Sequence, residues 1–451
     1  MANTQIVQPT DVVVDNIRIE SSTKKKIIDI TDLVQAIDIN ESLITPMLTG
    51  VILLVDGAGL LTQLPLVGQE KITFKITKGP SPGREGWNRE FTFYVRSIEN
   101  ITRVNDFTTE YQIRIVEESF FWNALENISQ SYEGTIDQIL TDIVTTQLRS
   151  EIDAEASAGT FKCVIPSWNP YRAMTWLTNR ARTESNAPFY LYDTLFDGLQ
   201  FRSIQTLFNR LPYKGRKLYP HKEMVPRSLY QAKAGLEKDV EDKIQMCMTF
   251  ESVKVTPTAE MILDGAFGSR FTLLDTMTKV VQHKDWDYSA EFGASTPFGE
   301  STGTIQRIEM YKAASDKTKW EELPISGYRA AERIYAFSGS AFGTTSTMSY
   351  NEDALNTEPW RIARDRQLQN FVYKASIPGD KYIQAGMMVE LMLNKNLMLG
   401  KDQESEVLDR RRSGMHIITA VKHRFHLPKQ QYIQTIEMAR DSMKADHEHA
   451  N

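Results

Sequence analysis

An α+β, mainly β chain built of several domains is the fold class this sequence predicts. Three observations carry the prediction. Residues 11–117 hold a succession of short strand-like segments with no convincing helix among them, and at Ser119 the hydrophobic period turns helical. The C-terminal region then closes on a long antiparallel strand pair. A chain of 451 residues is too long for one compact core, so two to four domains are expected.

The first segment reads "VVVDNIRI", "GVILLVDG", "EKITFKITK", "REFTFYVRSIEN" and "TEYQIRIVEE", each rich in β-branched or aromatic residues with stretches of alternation. Gly79 to Gly83 is a loop by its Gly/Pro punctuation, and Arg103 to Phe107 turns the chain between two strands. Thr62 to Gln69 interrupts the pattern. Five or more short strands of this kind make a small barrel or sandwich.

Residues 118–205 form an α/β unit. Phe120 to Leu125 suits a short helix. Thr135 and Gln138 fit a capping box, in which each side chain satisfies a backbone N–H of the other's turn. Ile136, Ile139, Leu140, Ile143 and Val144 follow as an apolar stripe running to about Leu148, and Ala154 to Thr160 is a small, polar loop. Asn169 can cap the next helix, with Pro170 in the first position, where a missing N–H does no harm. Ala173, Met174, Leu177 and Ala181 share its inner face, and Arg172, Thr175 and Arg182 face away. Pro188 forbids continuation, Phe189 to Tyr192 is a strand, Asp197-Gly198 the turn, and Leu199 to Ile204 the returning strand. Trp176 and Leu177 are expected to meet Phe189, Leu191 and Phe201 as the core of this unit.

From Thr206 to residue 243 the signal thins, with Pro212, Pro220 and Pro226 breaking a basic connector. Ile244 to Val255 returns to strand, and Gly265 and Gly268 mark tight backbone before another. Residues 286–358 are rich in Gly, Ser and Thr and read as an irregular insertion carrying a few strands, such as Thr304–Tyr311 and Arg333–Phe337. Thr357 or Glu358 can cap a helix from Trp360 to about Phe371. A strand, an Ile377–Asp380 turn and a second strand follow, with Val389, Leu391 and Leu393 on one face. Gly400 to Ser413 is a charged loop. The final pair joins near Pro428 and places Ile417, Thr419, Val421, His423 and Phe425 on one side.

Two blocks of this pattern carry a family resemblance. The first is Trp176-Leu177-x-x-Arg180-Ala181, then Pro188 with Phe189 and Tyr190, then Asp197-Gly198-Leu199-x-Phe201. The second is Pro378-Gly379 in the turn, Gly386 before Val389-Glu390-Leu391, Ser413-Gly414 leading to Ile418, Val421 and His423, and the run from Tyr432 to Glu437. Together they resemble baseplate hub proteins of contractile-tailed bacteriophages. They are similar too to phage late-control proteins and to the hub part of type VI secretion spike proteins. The resemblance implies two small antiparallel β-barrels of related fold, spanning residues 1–117 (facing the tail tube) and residues 244–285 with 359–443. Between them lie the middle domain at 118–205, the connector at 206–243 and the insertion at 286–358, with 444–451 a tail. It implies a structural protein with no catalytic residue, cofactor or metal. As a homotrimer it would join a sixfold tail tube, or a tube-initiator protein, to a threefold central spike, with wedge or other hub proteins as further partners. The place would be the tail baseplate of a virion, assembled in the host cytoplasm. Two alternatives stand beside it, the hub of a type VI secretion-like injection machine and a tail-associated cell-wall hydrolase. A type VI hub would continue into a β-prism, and the few residues after the last strand favour a phage hub with a separate spike.

Composition and motif content fit that picture. The longest apolar run, Val51–Val55, is far short of the roughly 20 residues of a membrane span, and residues 1–10 lack a signal-peptide core. Cys163 and Cys247 read as buried apolar fillers. Residues 1–205 carry 18 Lys+Arg against 26 Asp+Glu (−8) and residues 206–451 carry 34 against 32 (+2), which does not suit sequence-specific nucleic-acid binding. The basic stretch 214–238, with Tyr213, Tyr219 and Tyr230, reads as a surface connector ahead of a nucleic-acid arm. His423 and His426 fall on opposite strand faces, His416 stands alone, and His447-Glu448-His449 is terminal, so no metal-ligand pattern emerges. Gly339 to Gly343 displaces its serine from a nucleophile elbow, no phosphate loop occurs, and no local motif proposes a catalytic carboxylate pair.

Overall fold

The computed structural model describes residues 8–21, 26–63, 66–80, 85–220, 244–255, 258–275, 279–291, 307–313, 316–324, 327, 329–337, 350–394, 408–409 and 412–442. The N-terminal strands are β1 (Val13–Glu20), β2 (Ile27–Asp29), β3 (Val34–Ser42), β4 (Thr49–Asp56), β5 (Lys71–Lys78), β6 (Trp87–Arg103) and β7 (Thr109–Val116), with, among the described residues, only a four-residue helix, α1 (Leu60–Gln63), and one 3-10 turn between them. Alternation decides their inner face. In β5, Ile72, Phe74 and Ile76 are fully buried while Lys71, Thr73 and Lys75 point out.

The middle part holds α2 (Glu118–Leu125), β8 (Ile128–Gly134), α3 (Ile136–Gln147), β9 (Ile152–Ala154), β10 (Phe161–Trp168), α4 (Pro170–Thr178), β11 (Phe189–Thr194), β12 (Gly198–Ser203) and α5 (Ile204–Asn209). Asn169 caps α4 as its sequence demands, accepting the Arg172 N–H at 3.0 Å. The capping box at α3 does not form, because Thr135 makes no side-chain cap bond. Instead Asp137 and Ser157 bond reciprocally, the Ser157 N–H and hydroxyl donating to the carboxylate and the Asp137 N–H donating back to the hydroxyl. A partner twenty residues away thus replaces the local one. Arg182, expected to face away, is buried at the exit from α4, where its carbonyl accepts the Ala158 N–H.

The connector is only partly described. Its first part adds β13 (Lys217–Leu218), parallel to a later strand, and buries Arg216 and Tyr219. Tyr213 stacks on Tyr382 at 3.6 Å, so two of the three tyrosines proposed for nucleic acid are used in packing. Tyr230 and most of the basic stretch lie outside the described residues.

Then come β14 (Thr249–Val255), α6 (Thr258–Leu263), β15 (Gly268–Asp275), β16 (Val281–Asp287), α7 (Tyr288–Glu291), β17 (Arg307–Ala313), β18 (Asp316–Pro324), β19 (Ala331–Phe337) and α8 (Tyr350–Gln367). The chain closes with β20 (Phe371–Pro378), β21 (Met388–Leu391), β22 (Gly414–His426) and β23 (Gln431–Arg440). The helix expected from Trp360 begins at Tyr350 and takes Pro359 into its interior. Burial of Leu355 beside Trp286 and Phe271 offsets the proline's missing N–H.

Sheet topology departs from two separate barrels. Among the described residues, one 13-stranded sheet runs along the open path β14-β20-β23-β22-β3-β4-β7-β6-β5-β1-β2, with β21 and β13 branching from β22. The joint is β22 against β3, antiparallel from Ala420–Ser42 to His426–Ala36. This pairing satisfies backbone groups that closure of either half would have needed. The segment 244–285 divides: β14 joins the large sheet, whereas β15 and β16 form a three-stranded sheet with β19. β17 and β18 pair as a separate hairpin. In β22 a register shift between Ile418 and Ala420 turns the strand over. Ile418 therefore shares the core of Val421, while Ile417 enters the one that holds Tyr192 and Leu207.

Candidate functional site

The site with most chemistry is a largely buried polar junction where the N-terminal strands, the middle part and the C-terminal strands meet. Glu41 enters it from β3, on the buried side of an alternating strand. One of its carboxylate oxygens accepts the Leu195 N–H at 2.6 Å and the other the Ala385 N–H at 2.9 Å. His423 from β22, wholly buried, reaches the same carboxylate through Nε2 at 2.8 Å. Its Nδ1 accepts from the Tyr432 hydroxyl at 2.7 Å, which assigns the ring proton to Nε2, and the Gln434 amide lies 3.3 Å away. Gln434 also donates to the carbonyls of Asp380 and Ile383 and accepts the Asp380 N–H. Gln384 bridges to the middle hairpin, accepting the Phe196 N–H at 3.1 Å and donating to the Asp197 carboxylate at 2.9 Å.

The junction gathers Asp197, Pro378, Gly379, Gly386 and His423, which sequence singled out in two distant blocks. Gly379 lies against the Tyr432 ring so closely that a Cβ there would sit 2.1 Å from it. Gly386 has φ +78° and faces the Tyr192 hydroxyl, and Gly198 takes φ +73° in the hairpin turn. Two residues stand apart from it. Gly414, at φ +124°, opens β22 beside Arg440, and Tyr190 donates to Asp365 of α8 at 2.6 Å.

Trp176, Leu177 and Phe189 belong to the middle core. Leu177 and Phe189 are fully buried, and Phe189 stacks on Phe201 at 4.5 Å. Trp176 is half-buried and turns from the hairpin toward Phe161 and Trp168, each 5.6 Å away, with the Arg180 guanidinium 4.0 Å above its ring.

Glu41 and Gln384 were not foreseen; Tyr432 and Gln434 fall in the motif run from Tyr432 to Glu437, with no role assigned to either there. Strand alternation places Glu41 of "AIDINES" on the apolar face of Ile37 and Ile39, a signal that could have found it, whereas its partners Leu195, Ala385 and His423 lie far away in the chain. Cys163 and Cys247 are free and buried, and burial pushes their thiols up to about 11 and about 12. Among the described residues no three His, Cys, Asp or Glu side chains gather as a metal site, and no helix is long and apolar enough to cross a membrane. His447 to His449 and Gly339 to Gly343 lie outside the described residues.

What this arrangement does is hold. Glu41, His423, Tyr432 and Gln434 are bonded to one another and to the backbone away from solvent, while Asp197 is exposed at the rim. The chain has the fold of phage tail proteins, the group to which its two motif blocks also pointed. In particular it is similar to the 43 kDa tail protein of prophage MuSo2 from Shewanella oneidensis, with 10% identity, a TM-score of 0.51, and alignment of 96% of this chain with 99% of that one. A tail protein from Neisseria meningitidis MC58 matches with the same identity and TM-score, over 96% of this chain and 97% of its own. A type VI secretion component from E. coli aligns at a TM-score of 0.38 and 9% identity, over 96% of this chain and 77% of its own. No protein-family model and no curated protein matches the sequence.

Proposed function

We propose that this protein is the structural hub of a phage tail baseplate, a homotrimeric adaptor between a sixfold tail tube and a threefold central spike. The observation that carries the reading is the extent of the likeness: nearly the whole chain follows nearly the whole of two phage tail proteins. The polar junction supports it, since a protein that bears load gains from buried bonds tying its parts together. So does the sheet path, which among the described residues ends on β2 and β14, edge strands whose backbone groups are available to a neighbouring copy. A ring of three uses heterologous contacts that close on themselves.

Light scattering tests the proposal. The expected mass is three times the 51.5 kDa of one chain, alone or after addition of the spike protein. A monomer under both conditions at high concentration overturns the adaptor. The role is non-enzymatic, so incubation with purified murein should release no fragments; turnover would favour a tail-associated hydrolase.

A further inference from the structure

We infer that the hairpin tip at residues 101–107 of one copy seats its apolar side chains in a groove of a second copy, between the loop at residues 43–48 and α4. The contact rests on the homotrimer proposed above and names one of its interfaces. The tip is apolar where solvent meets it: Phe107 is 87% exposed, Ile101 59% and Val104 58%. It lies past the sheet's other strands, because β5 leaves β6 after Tyr94 and β4 leaves β7 at Thr109. Its shape is set in advance. The Val104 N–H donates to the Thr108 carbonyl at 3.0 Å, the Phe107 N–H to the Asn105 side chain at 2.9 Å, and Arg103 to the Asp106 carboxylate at 3.0 Å. A tip already ordered loses little entropy on docking.

The groove, of about 450 Å³, offers the complementary surface. Pro46 and Met47 line it from the loop, and Tyr171, Thr175 and Trp176 line it from α4. Met, Tyr, Trp and Arg are the side chains that protein interfaces enrich. Both sides are anchored, the Tyr171 N–H donating to Asn123 at 2.7 Å and the Leu48 N–H to the Glu117 carboxylate at 3.4 Å. Charge runs the same way. Asp106 and Glu110 outnumber Arg103 at the tip, whereas Arg172 lines the groove and the Arg180 guanidinium lies 4.0 Å over the Trp176 ring. A chain cannot fill its own groove. β4 and β7 run side by side from the Thr49–Val116 pair to the Asp56–Thr109 pair, with the groove loop just before Thr49 and the tip just beyond Thr109. Roughly 23 Å of strand, at about 3.3 Å per residue, therefore separates them. A second copy can fill it, and because tip and groove are different patches the contact is heterologous. Each copy that gives a tip offers a groove in turn, until the ring closes.

The test is cross-linking of the full-length protein carrying both Phe107→Cys and Met47→Cys, with a short bismaleimide as the reagent. The wild type, whose Cys163 and Cys247 are buried, sets the background. The double variant should give covalent dimers and trimers, and each single variant should stay at the wild-type level. A double variant at background overturns the inference, and so does Phe107→Cys cross-linking alone, because tip would then meet tip. Phe107→Ser, at so exposed a position, should leave the melting midpoint unchanged and weaken self-association by about tenfold or more. Unchanged association overturns the inference as well. The mass of the wild type reads the homotrimer separately. A trimeric wild type without the cross-link strikes out this contact and leaves the hub reading standing, whereas cross-linked chains of more than three copies support the contact and overturn the trimer.

Discussion

At the scale of single residues, close approach and burial set what each position tolerates. Gly379 is the tightest case. Tyr432, which a Cβ would strike, is fully buried and stacked between Phe425 at 4.4 Å and His423, so its ring has nowhere to go. Gly379→Ala should therefore lower stability by about 1–3 kcal/mol or more. Gly198→Ala, which meets open space and suffers only from its positive φ, should cost about 1–2 kcal/mol. Equal denaturation midpoints for the two variants with Gly379→Ala unharmed would disprove the contact. His416 is a second case. Burial and then the Arg440 charge hold its imidazole down to about 3, and its Nδ1–H donates to the Gly414 carbonyl at 2.8 Å. A base whose folded pKa is depressed stabilises fully above its unfolded value near 6.5 and loses that contribution as pH falls toward 3. The loss is on the order of 5 kcal/mol across that window. Urea midpoints at pH 7 and pH 4 should accordingly differ less in His416→Gln than in the wild type, and an unchanged difference would place the titration elsewhere.

At the scale of elements, the legible parts were those whose partners lie close in sequence. The Asn169–Pro170 start and the hairpin turn at Gly198 form where local chemistry puts them, whereas α4 ends at Thr178, before Ala181 and Arg182 and ten residues ahead of Pro188. Features set by distant partners were not legible. Ser157 displaces the capping box of Thr135, the core around Trp286 carries α8 through Pro359, and a bulge turns over β22 at Thr419. Trp176 shows the same limit, since helical spacing gives its angle on α4 but not that β10 would be its neighbour. Leu177 obeys the spacing, fully buried between α3 and the hairpin. Leu177→Ala should cost about 2–5 kcal/mol, through lost transfer energy plus a cavity. Thermal melting checks it, and an unchanged midpoint would mean the α4 face is misassigned.

At the scale of the whole molecule, the sheet path implies that the two ends of the chain fold as one unit. Phe425 and Tyr432 come from the C-terminal strands yet lie in the core built by β1 to β7, and β22 is hydrogen-bonded to β3 on one side and β23 on the other. Lys422 reaches Asp38 of β3 at 2.8 Å, and Glu41 ties the same strands to the middle hairpin. Truncating Phe425 to alanine should remove about 3–5 kcal/mol. Because the lost contacts belong to both ends, amides of β5 and of β23 should lose hydrogen-exchange protection by the same free energy. The sheet of β15, β16 and β19 has its own core with α8 and should be affected less. If β23 alone became labile while β5 kept its protection, the halves would be separate cooperative units and the β3–β22 joint a mere contact between them.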